Sequence, residues 1–234
     1  MNKSLLYLAA LLCCIASFQV EGRWISNRRM LQGLSDFIRI ERDPTSPSHT
    51  QESTWYGLFG TSTTKKNVYN SKEEDPDTGM VTKTEIVAQG SASSKGSKEA
   101  TVDISVEQKE DGCFGDLDFP CLKTTVDANG NSQISSSIAQ KQTSKLPTDA
   151  GVITATAEGE TMGSQSSSKG EDIGVESFVE TLIFPQSGGL AAGANATSEF
   201  SNPNDESTTD SDAKVVLTAP WDGLQDSAIK IKKN

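Results

Sequence analysis

The cysteine pair Cys113 and Cys121 is the clearest chemical feature of this 234-residue chain. Only Phe-Gly-Asp-Leu-Asp-Phe-Pro separates the two residues, and an isolated close pair usually forms a disulfide in an oxidising compartment. A zinc site would need further ligands, and redox-active pairs usually have a tighter spacing. We therefore predict a structural disulfide between Cys113 and Cys121.

Nucleophilic catalysis has little support in the sequence, because the chain contains one histidine. A serine or cysteine nucleophile needs a histidine as its general base, and His49 lies in a Pro/Ser/Thr-rich stretch typical of a linker. Neither a Gly-x-Ser-x-Gly turn nor a phosphate-binding glycine loop is present. Two carboxylates can hydrolyse glycosides, but aromatic residues for a sugar cleft make up only 6 % of the chain. We predict no enzymatic activity, no catalytic residues and no cofactor.

Calcium is the metal ion that the acidic residues suit best. Residues 127–131 space three oxygen-bearing side chains at alternate positions, as the start of a calcium loop does, but the later glycine and bidentate glutamate are missing. A second acidic group, Asp111, Asp116 and Asp118, surrounds the cysteine pair. The alternatives are a hairpin turn and a solvated loop, so we predict weak calcium binding and no dedicated metal site.

Three aromatic residues are candidates for binding a ligand: Trp55, Tyr56 and Trp221. Aromatic rings stack on sugars and pack against protein partners, which favours a polysaccharide or an extracellular protein as the ligand. The alternative is that these rings anchor the core or an edge strand. Substitution of each ring by alanine separates the two interpretations.

The segment Asn195-Ala196-Thr197 is an acceptor sequence for N-glycosylation. The motif is short, and it follows a stretch of glycine and alanine that is typical of an exposed segment. We predict a glycan on Asn195.

The N-terminus has the order of features that a signal peptidase recognises. Lys3 precedes an apolar stretch over residues 5–18, and the small residue Gly22 follows. The apolar stretch is shorter than the ~20 residues that a membrane-spanning helix needs. We predict that residues 1–22 are a signal peptide, that the chain is secreted to the extracellular space, and that it has no membrane span.

Residues 23–52 differ in pattern from the rest of the chain. Apolar residues at steps of three and four predict an amphipathic helix over residues 24–42, and the Arg28-Arg29 pair would suit removal of a pro-segment. Residues 43–54 contain two prolines and no apolar period, which predicts a linker.

Alternating apolar and polar residues predict strands in the region 53–220. Two local runs around Asn129-Gly130, at residues 122–126 and 134–138, suggest a hairpin. The other predicted strands are 80–88, 100–106, 152–157 (ended by a turn at 158–160), 172–184 and 214–217. The predicted fold is an all-β antiparallel sandwich or barrel with disordered acidic linkers at 65–78 and 201–212, followed by a basic tail at 221–234.

The charge and composition limit the functions that the chain can have. A net charge of −11 repels nucleic acid and anionic membranes, and hydrophobic residues make up only 34 % of the chain. We predict a secreted, non-catalytic matrix, wall or surface protein with an acidic Ser/Thr-rich face. The alternative is an extracellular module that binds carbohydrate or protein through its surface aromatics.

Overall fold

The computed structural model describes residues 38–42, 48–109, 113–114, 121–166, 171–184, 189–220 and 228–232. These residues form twelve strands and, among themselves, no helix, which confirms the predicted all-β fold. The signal peptide and residues 24–37 of the predicted helix lie outside the described residues. The helix prediction is wrong for residues 38–42, which form a strand.

The strands form two sheets. The large sheet contains, in spatial order, β1 (Ile38–Arg42), β2 (Ser48–Gly57), β3 (Gly60–Glu74), β4 (Val81–Lys95), β7 (Gln133–Thr148), β8 (Gly151–Ser166) and β11 (Thr208–Thr218). The small sheet contains β12 (Ala228–Lys232), β10 (Leu190–Phe200), β9 (Glu171–Ile183), β6 (Cys121–Gly130) and β5 (Thr101–Lys109). Neighbouring strands are antiparallel except β10 and β12, which are parallel.

The hydrophobic core lies between the two sheets, where the inward-facing residues of both are buried. One cluster joins five strands through Ile86, Val102, Val126, Ile138 and Val175. A second cluster joins β7 and β9 to β8, β10 and β11 through Leu146, Ile153, Val179, Leu190 and Ala213. Two sheets that bury one face each against the other form a sandwich, so the core confirms this part of the fold prediction.

Several strand predictions are confirmed by these elements. The runs at residues 80–88, 100–106 and 214–217 lie in β4, β5 and β11, apart from their first residues at 80 and 100. The run at 172–184, which also fits a helix, forms β9 up to Ile183. Strand-like alternation therefore identifies the elements correctly where one face of a strand is buried.

The predicted hairpin around Asn129-Gly130 is wrong. β6 pairs with β5 and β9 in the small sheet, whereas β7 pairs with β4 and β8 in the large sheet. The short connection at residues 131–132 therefore carries the chain from one sheet to the other. A turn signal is local, and it does not specify which strands become hydrogen-bonded neighbours.

The predicted linkers at residues 43–54 and 65–78 are wrong for most of their length, because β2 and β3 occupy these positions. Their inward faces carry mostly polar residues, and Tyr69 packs against the core. Thr63 is buried, and its Oγ1 donates a hydrogen bond of 2.7 Å to the carbonyl oxygen of Ala100. Threonine favours strands, and the hydrogen bond to Ala100 satisfies its buried hydroxyl. This segment can therefore form a strand without alternating apolar residues.

Three further boundaries differ from the sequence prediction. The turn expected at residues 158–160 is wrong, because β8 continues through it to Ser166. The acidic segment at 201–212 enters β11 at Thr208, and the basic tail contributes β12.

Candidate functional site

A row of hydroxyl-bearing residues crosses the outer face of the large sheet at right angles to the strands. Strand register places one such residue on each of six neighbouring strands, in the order Ser53, Thr64, Ser91, Ser135, Ser164 and Thr208. Ile134 and Ser136, on either side of Ser135, are buried between the sheets. At about 4.8 Å between strands, the row is roughly 24 Å long. We call these six residues the hydroxyl row.

The hydroxyl row passes through a depression of ≈ 480 Å³ in the surface. Its polar lining comprises Ser62, Ser91, Ser93, Gln133, Ser135, Ser164, Gln165, Ser166 and Glu206. Serine hydroxyls and glutamine amides both donate and accept hydrogen bonds, whereas a carboxylate only accepts. The depression therefore offers both kinds of hydrogen bond and contains a single acidic side chain.

A second depression of ≈ 280 Å³ lies further along β7. Gln133 and Ser135 line the first depression, while Ser137 and Ala139, the next outward-facing residues of β7, line the second. The other side chains that face the second depression include Val87, Gln89, Met162, Glu160, Asp210 and Asp212. We call the two depressions together the trough; along β7 it covers seven residues, or about 20 Å, and its second half is acidic.

Ion pairs border the trough on the same face of the sheet. Lys141 Nζ lies 2.5 Å from Glu158 Oε1, and this hydrogen bond raises the pKa of Lys141. Lys83 pairs with Glu85, and the hydrogen bond from Lys83 lowers the pKa of Glu85. The charges beyond the acidic half of the trough thus neutralise each other in pairs.

The structure separates the three aromatic residues predicted to bind a ligand. Trp55 is 39 % exposed on the outer face of β2, and its register partner Ser62 lines the first depression. Tyr56 follows Trp55 in the same strand and so faces the opposite side of the sheet. Trp221 lies outside the described residues. Trp55 is therefore the one member of this set that the structure places beside the trough.

The predicted disulfide between Cys113 and Cys121 is confirmed. Cys121 begins β6 and is completely buried, and Phe114 packs against Gly193 of β10. A Cβ atom added at Gly193 would lie 2.6 Å from Phe114 Cδ2. Cys113 and Phe114 therefore lie against the outer face of the small sheet.

Residues 127–130 of the segment predicted to bind calcium belong to a strand and not to a loop. Asp127 lies in β6, where burial, followed by the negative charges of Asp103 and Asp172, raises its pKa. Asp111, Asp116 and Asp118 lie outside the described residues. Within the described part of the chain, no group of three or more His, Cys, Asp or Glu residues could hold a metal ion.

Asn195 lies in β10 and is 8 % exposed. A glycan on its Nδ2 needs a solvent-accessible side chain, so N-glycosylation, which stays a prediction, would require Asn195 to leave its place in the sheet. The neighbouring strand β9 contributes Glu180, a buried carboxyl group that the sequence analysis did not select. The sequence does contain a signal for this buried carboxyl group, because Glu180 is an ionisable residue inside the apolar run Phe-Val-Glu-Thr-Leu-Ile-Phe.

Comparison with family models, curated proteins and solved structures finds no match. Among the described residues, no helix is long and apolar enough to cross a membrane.

Proposed function

We propose that this chain is a secreted, non-catalytic wall, matrix or surface protein that holds an uncharged polysaccharide in the trough. The observation that carries the proposal is the hydroxyl row, which crosses six strands and opens into a serine- and glutamine-lined depression of ≈ 480 Å³. Sugars present many hydroxyls that donate and accept, and the lining matches both functions.

The shape of the trough favours a linear polymer over a small molecule. Small-molecule sites are enclosed and mostly apolar, whereas the trough is open and its first half is lined mainly by hydroxyl and amide groups. Trp55 lies at the Ser62 side of the first depression, where its exposed ring can stack on a further sugar unit. Because the whole chain carries a net charge of −11, we expect a neutral polymer to bind in preference to a polyanion.

Retention of the purified protein on uncharged glucans, measured by affinity electrophoresis, tests the proposal. Ser135→Arg places a long charged side chain at the centre of the hydroxyl row, and we expect binding to weaken by at least about tenfold, or about 1.4 kcal/mol. Thr143→Arg is the matched control, because it makes the same charge change on the same face of β7 beyond the trough. Equal losses in both variants, or no binding to any neutral polysaccharide, would refute the proposal.

Two further comparisons distinguish the alternatives. Trp55→Ala should weaken binding several-fold while Tyr56→Ala leaves it unchanged, because only Trp55 shares a face with the trough. Acidic polygalacturonate should not be retained. Release of reducing sugars that disappears in Glu160→Gln or Asp212→Asn would contradict the non-catalytic assignment, because paired carboxylates are the groups that hydrolyse glycosides.

A further inference from the structure

The hairpin formed by β2 and β3 ends in two exposed apolar residues. Gly57 and Gly60 are the last register partners of the two strands, so Leu58 and Phe59 form the turn between them. Leu58 is 67 % exposed and Phe59 is 86 % exposed. Side chains this exposed contribute little to the core, so the fold does not explain why they are apolar.

The composition of this turn is unusual for a hairpin. Two-residue turns usually contain glycine, asparagine or aspartate, which suit both the backbone geometry and the contact with water. The Leu-Phe pair at positions 58 and 59 departs from both preferences. Such departures from local rules are expected at functional positions, because there the sequence serves more than folding.

Two aromatic rings lie directly behind the turn. Trp55 is 39 % exposed and Tyr56 is 41 % exposed, and consecutive strand residues face opposite sides of the hairpin. The Trp55 ring extends towards the turn, because a Cβ atom added at Gly57 would overlap its Cη2 atom. At about 3.3 Å per strand residue, both residues lie about 7–10 Å behind Leu58. We call Trp55, Tyr56, Leu58 and Phe59 the apolar tip.

The connection between β4 and β5 holds the backbone of the apolar tip. The amide of Gly96 donates a hydrogen bond of 3.2 Å to the carbonyl oxygen of Phe59. Gly60 lies against Ser94, whose carbonyl oxygen would be 2.0 Å from an added Cβ atom. The turn therefore cannot fold back over the core without breaking these contacts, and its apolar side chains stay in solvent.

The charges beside the apolar tip differ from those of the whole chain. The connection that holds the tip carries Lys95, Lys98 and Glu99, all exposed, so two lysines and one glutamate leave one net positive charge there. The whole chain has a net charge of −11. The acidic segment 201–207 at the same end precedes β11, which lies four strands from β3, or about 19 Å away. The tip is therefore the part of this end that suits contact with phosphate groups.

We propose that the apolar tip inserts into a zwitterionic lipid bilayer and docks the protein on the membrane surface. Leucine and phenylalanine would enter the acyl boundary, the two rings would lie among the headgroups, and the lysines would face the phosphates. Apolar surfaces of this kind enter an interface by about 5–10 Å, which matches the separation between Leu58 and the two rings.

The shape and charge of the molecule favour this partner over two others. A stable protein interface takes about 20–30 residues from each side, whereas the apolar tip is convex and offers four side chains. Lipids can close around a convex tip. An anionic membrane would repel a chain with a net charge of −11, so the zwitterionic surface is favoured. The inference goes beyond polysaccharide binding and shares only Trp55 with it.

Cosedimentation of the purified protein with phosphatidylcholine vesicles tests the inference. We expect the protein to partition onto the vesicles, and the double variant Leu58→Ser/Phe59→Ser to weaken partition by at least about tenfold. Val152→Ser is the matched control, because Val152 is an apolar residue, 51 % exposed, at the opposite end of the large sheet. No partition of the wild type, or equal partition of the wild type and the double variant, would overturn the proposal.

Fluorescence reports how deeply the apolar tip enters. In a Trp24→Phe/Trp221→Phe variant, Trp55 is the remaining tryptophan, and its emission should shift to shorter wavelength on vesicles and be quenched by brominated acyl chains. Replacing part of the phosphatidylcholine by phosphatidylserine should weaken binding. Unchanged Trp55 emission, or a preference for anionic vesicles that persists in Leu58→Ser/Phe59→Ser, would contradict insertion.

Two further measurements separate the membrane from other occupants of the tip. Sedimentation velocity without vesicles should show the same species for the wild type and Leu58→Ser/Phe59→Ser; a dimer that the double variant loses would assign the tip to a second copy of the chain. Retention on glucans should be unchanged in the double variant, and its loss without a change in vesicle partition would assign the tip to the polysaccharide. Ser135→Arg should lose glucan retention and keep vesicle partition, so each proposal can fail without the other.

Discussion

At the scale of single residues, Glu180 is a carboxyl group whose pKa is raised by burial without a compensating positive charge. Its pKa of about 7 has burial as the leading cause, whereas Asp75, in an exposed turn, has its pKa lowered by hydrogen bonds from Thr78 and from the backbone of Asp77. The same kind of group is thus made easier to protonate between covered strands and harder to protonate in a turn.

The buried position of Glu180 predicts that stability falls as the pH rises. Because the folded state holds the proton more tightly than the unfolded state, the stabilising contribution is complete below about pH 4.5 and is lost as the pH rises through about 7. The shift corresponds to roughly 3 kcal/mol in the free energy of unfolding. Urea unfolding between about pH 4 and 8 measures it.

Glu180→Gln should remove this pH dependence, and Glu199→Gln, an exposed carboxyl on the next strand, should retain it. A steep loss of stability in Glu180→Gln over the same range would show that another group titrates.

The sequence shows the type of each residue but not which side chains surround it in the fold. The Asn195 acceptor motif and the two cysteines are visible in the sequence, and the disulfide prediction is confirmed. The burial of Asn195 and of Glu180 depends on the packing of the disulfide segment and of neighbouring strands against the small sheet. No local pattern contains this information.

At the scale of elements, the two sheets approach closely where one strand carries glycine. A Cβ atom added at Gly90 of β4 would overlap Cγ1 of Val102 in β5 and would lie 3.0 Å from Cγ1 of Val126 in β6. Glycine is therefore required by the inter-sheet packing, whereas in an unhindered strand alanine would be the more stabilising residue.

Gly90→Ala is expected to destabilise the protein by about 1–3 kcal/mol, because the added methyl forces Val102 out of its position. The midpoint and slope of urea unfolding measure the change. Gln89→Ala, one position earlier on the outer face of the same strand, should change stability by less than about 0.5 kcal/mol. Unchanged stability in Gly90→Ala would mean that the two sheets are further apart at this point.

Strands β2 and β3 show why part of the element prediction failed. Their inward faces contain threonine, lysine and asparagine, so apolar alternation is absent and a linker was predicted. Lys65 of β3 instead pairs with Glu52 of β2, at 3.8 Å between Nζ and Oε2, and the buried Thr63 donates its hydroxyl hydrogen bond to the carbonyl oxygen of Ala100. Backbone pairing of β3 with β4 and of β2 with β3, which no local pattern reports, holds these polar strands in the sheet.

At the scale of the whole molecule, the disulfide acts on the unfolded chain as well as on the cover of Glu180. Closing the loop from Cys113 to Cys121 lowers the entropy of the unfolded state, which is worth roughly 2–3 kcal/mol for a loop of this size. The same bond holds Cys113 and Phe114 against β9 and β10.

Replacing both Cys113 and Cys121 by serine should therefore lower the free energy of unfolding by roughly 2–3 kcal/mol. It should also reduce the dependence of stability on pH, because water gains access to Glu180. Reductant should destabilise the wild type by a similar amount and leave the double variant unaffected. If the double variant is as stable as the wild type, the loop contributes nothing to the fold.

The amino-acid sequence alone determined the all-β class, most of the strand positions and the cysteine pairing, because alternation and spacing are local properties that burial of one strand face imposes. The tertiary structure alone decided that β6 and β7 belong to different sheets, that six hydroxyl residues align across the large sheet, and that Glu180 and Asn195 are buried on the outer face of the small sheet. These features depend on how all the strands pair and how the two sheets pack on each other. Such register is selected by the packing of the whole core, and no short segment encodes it.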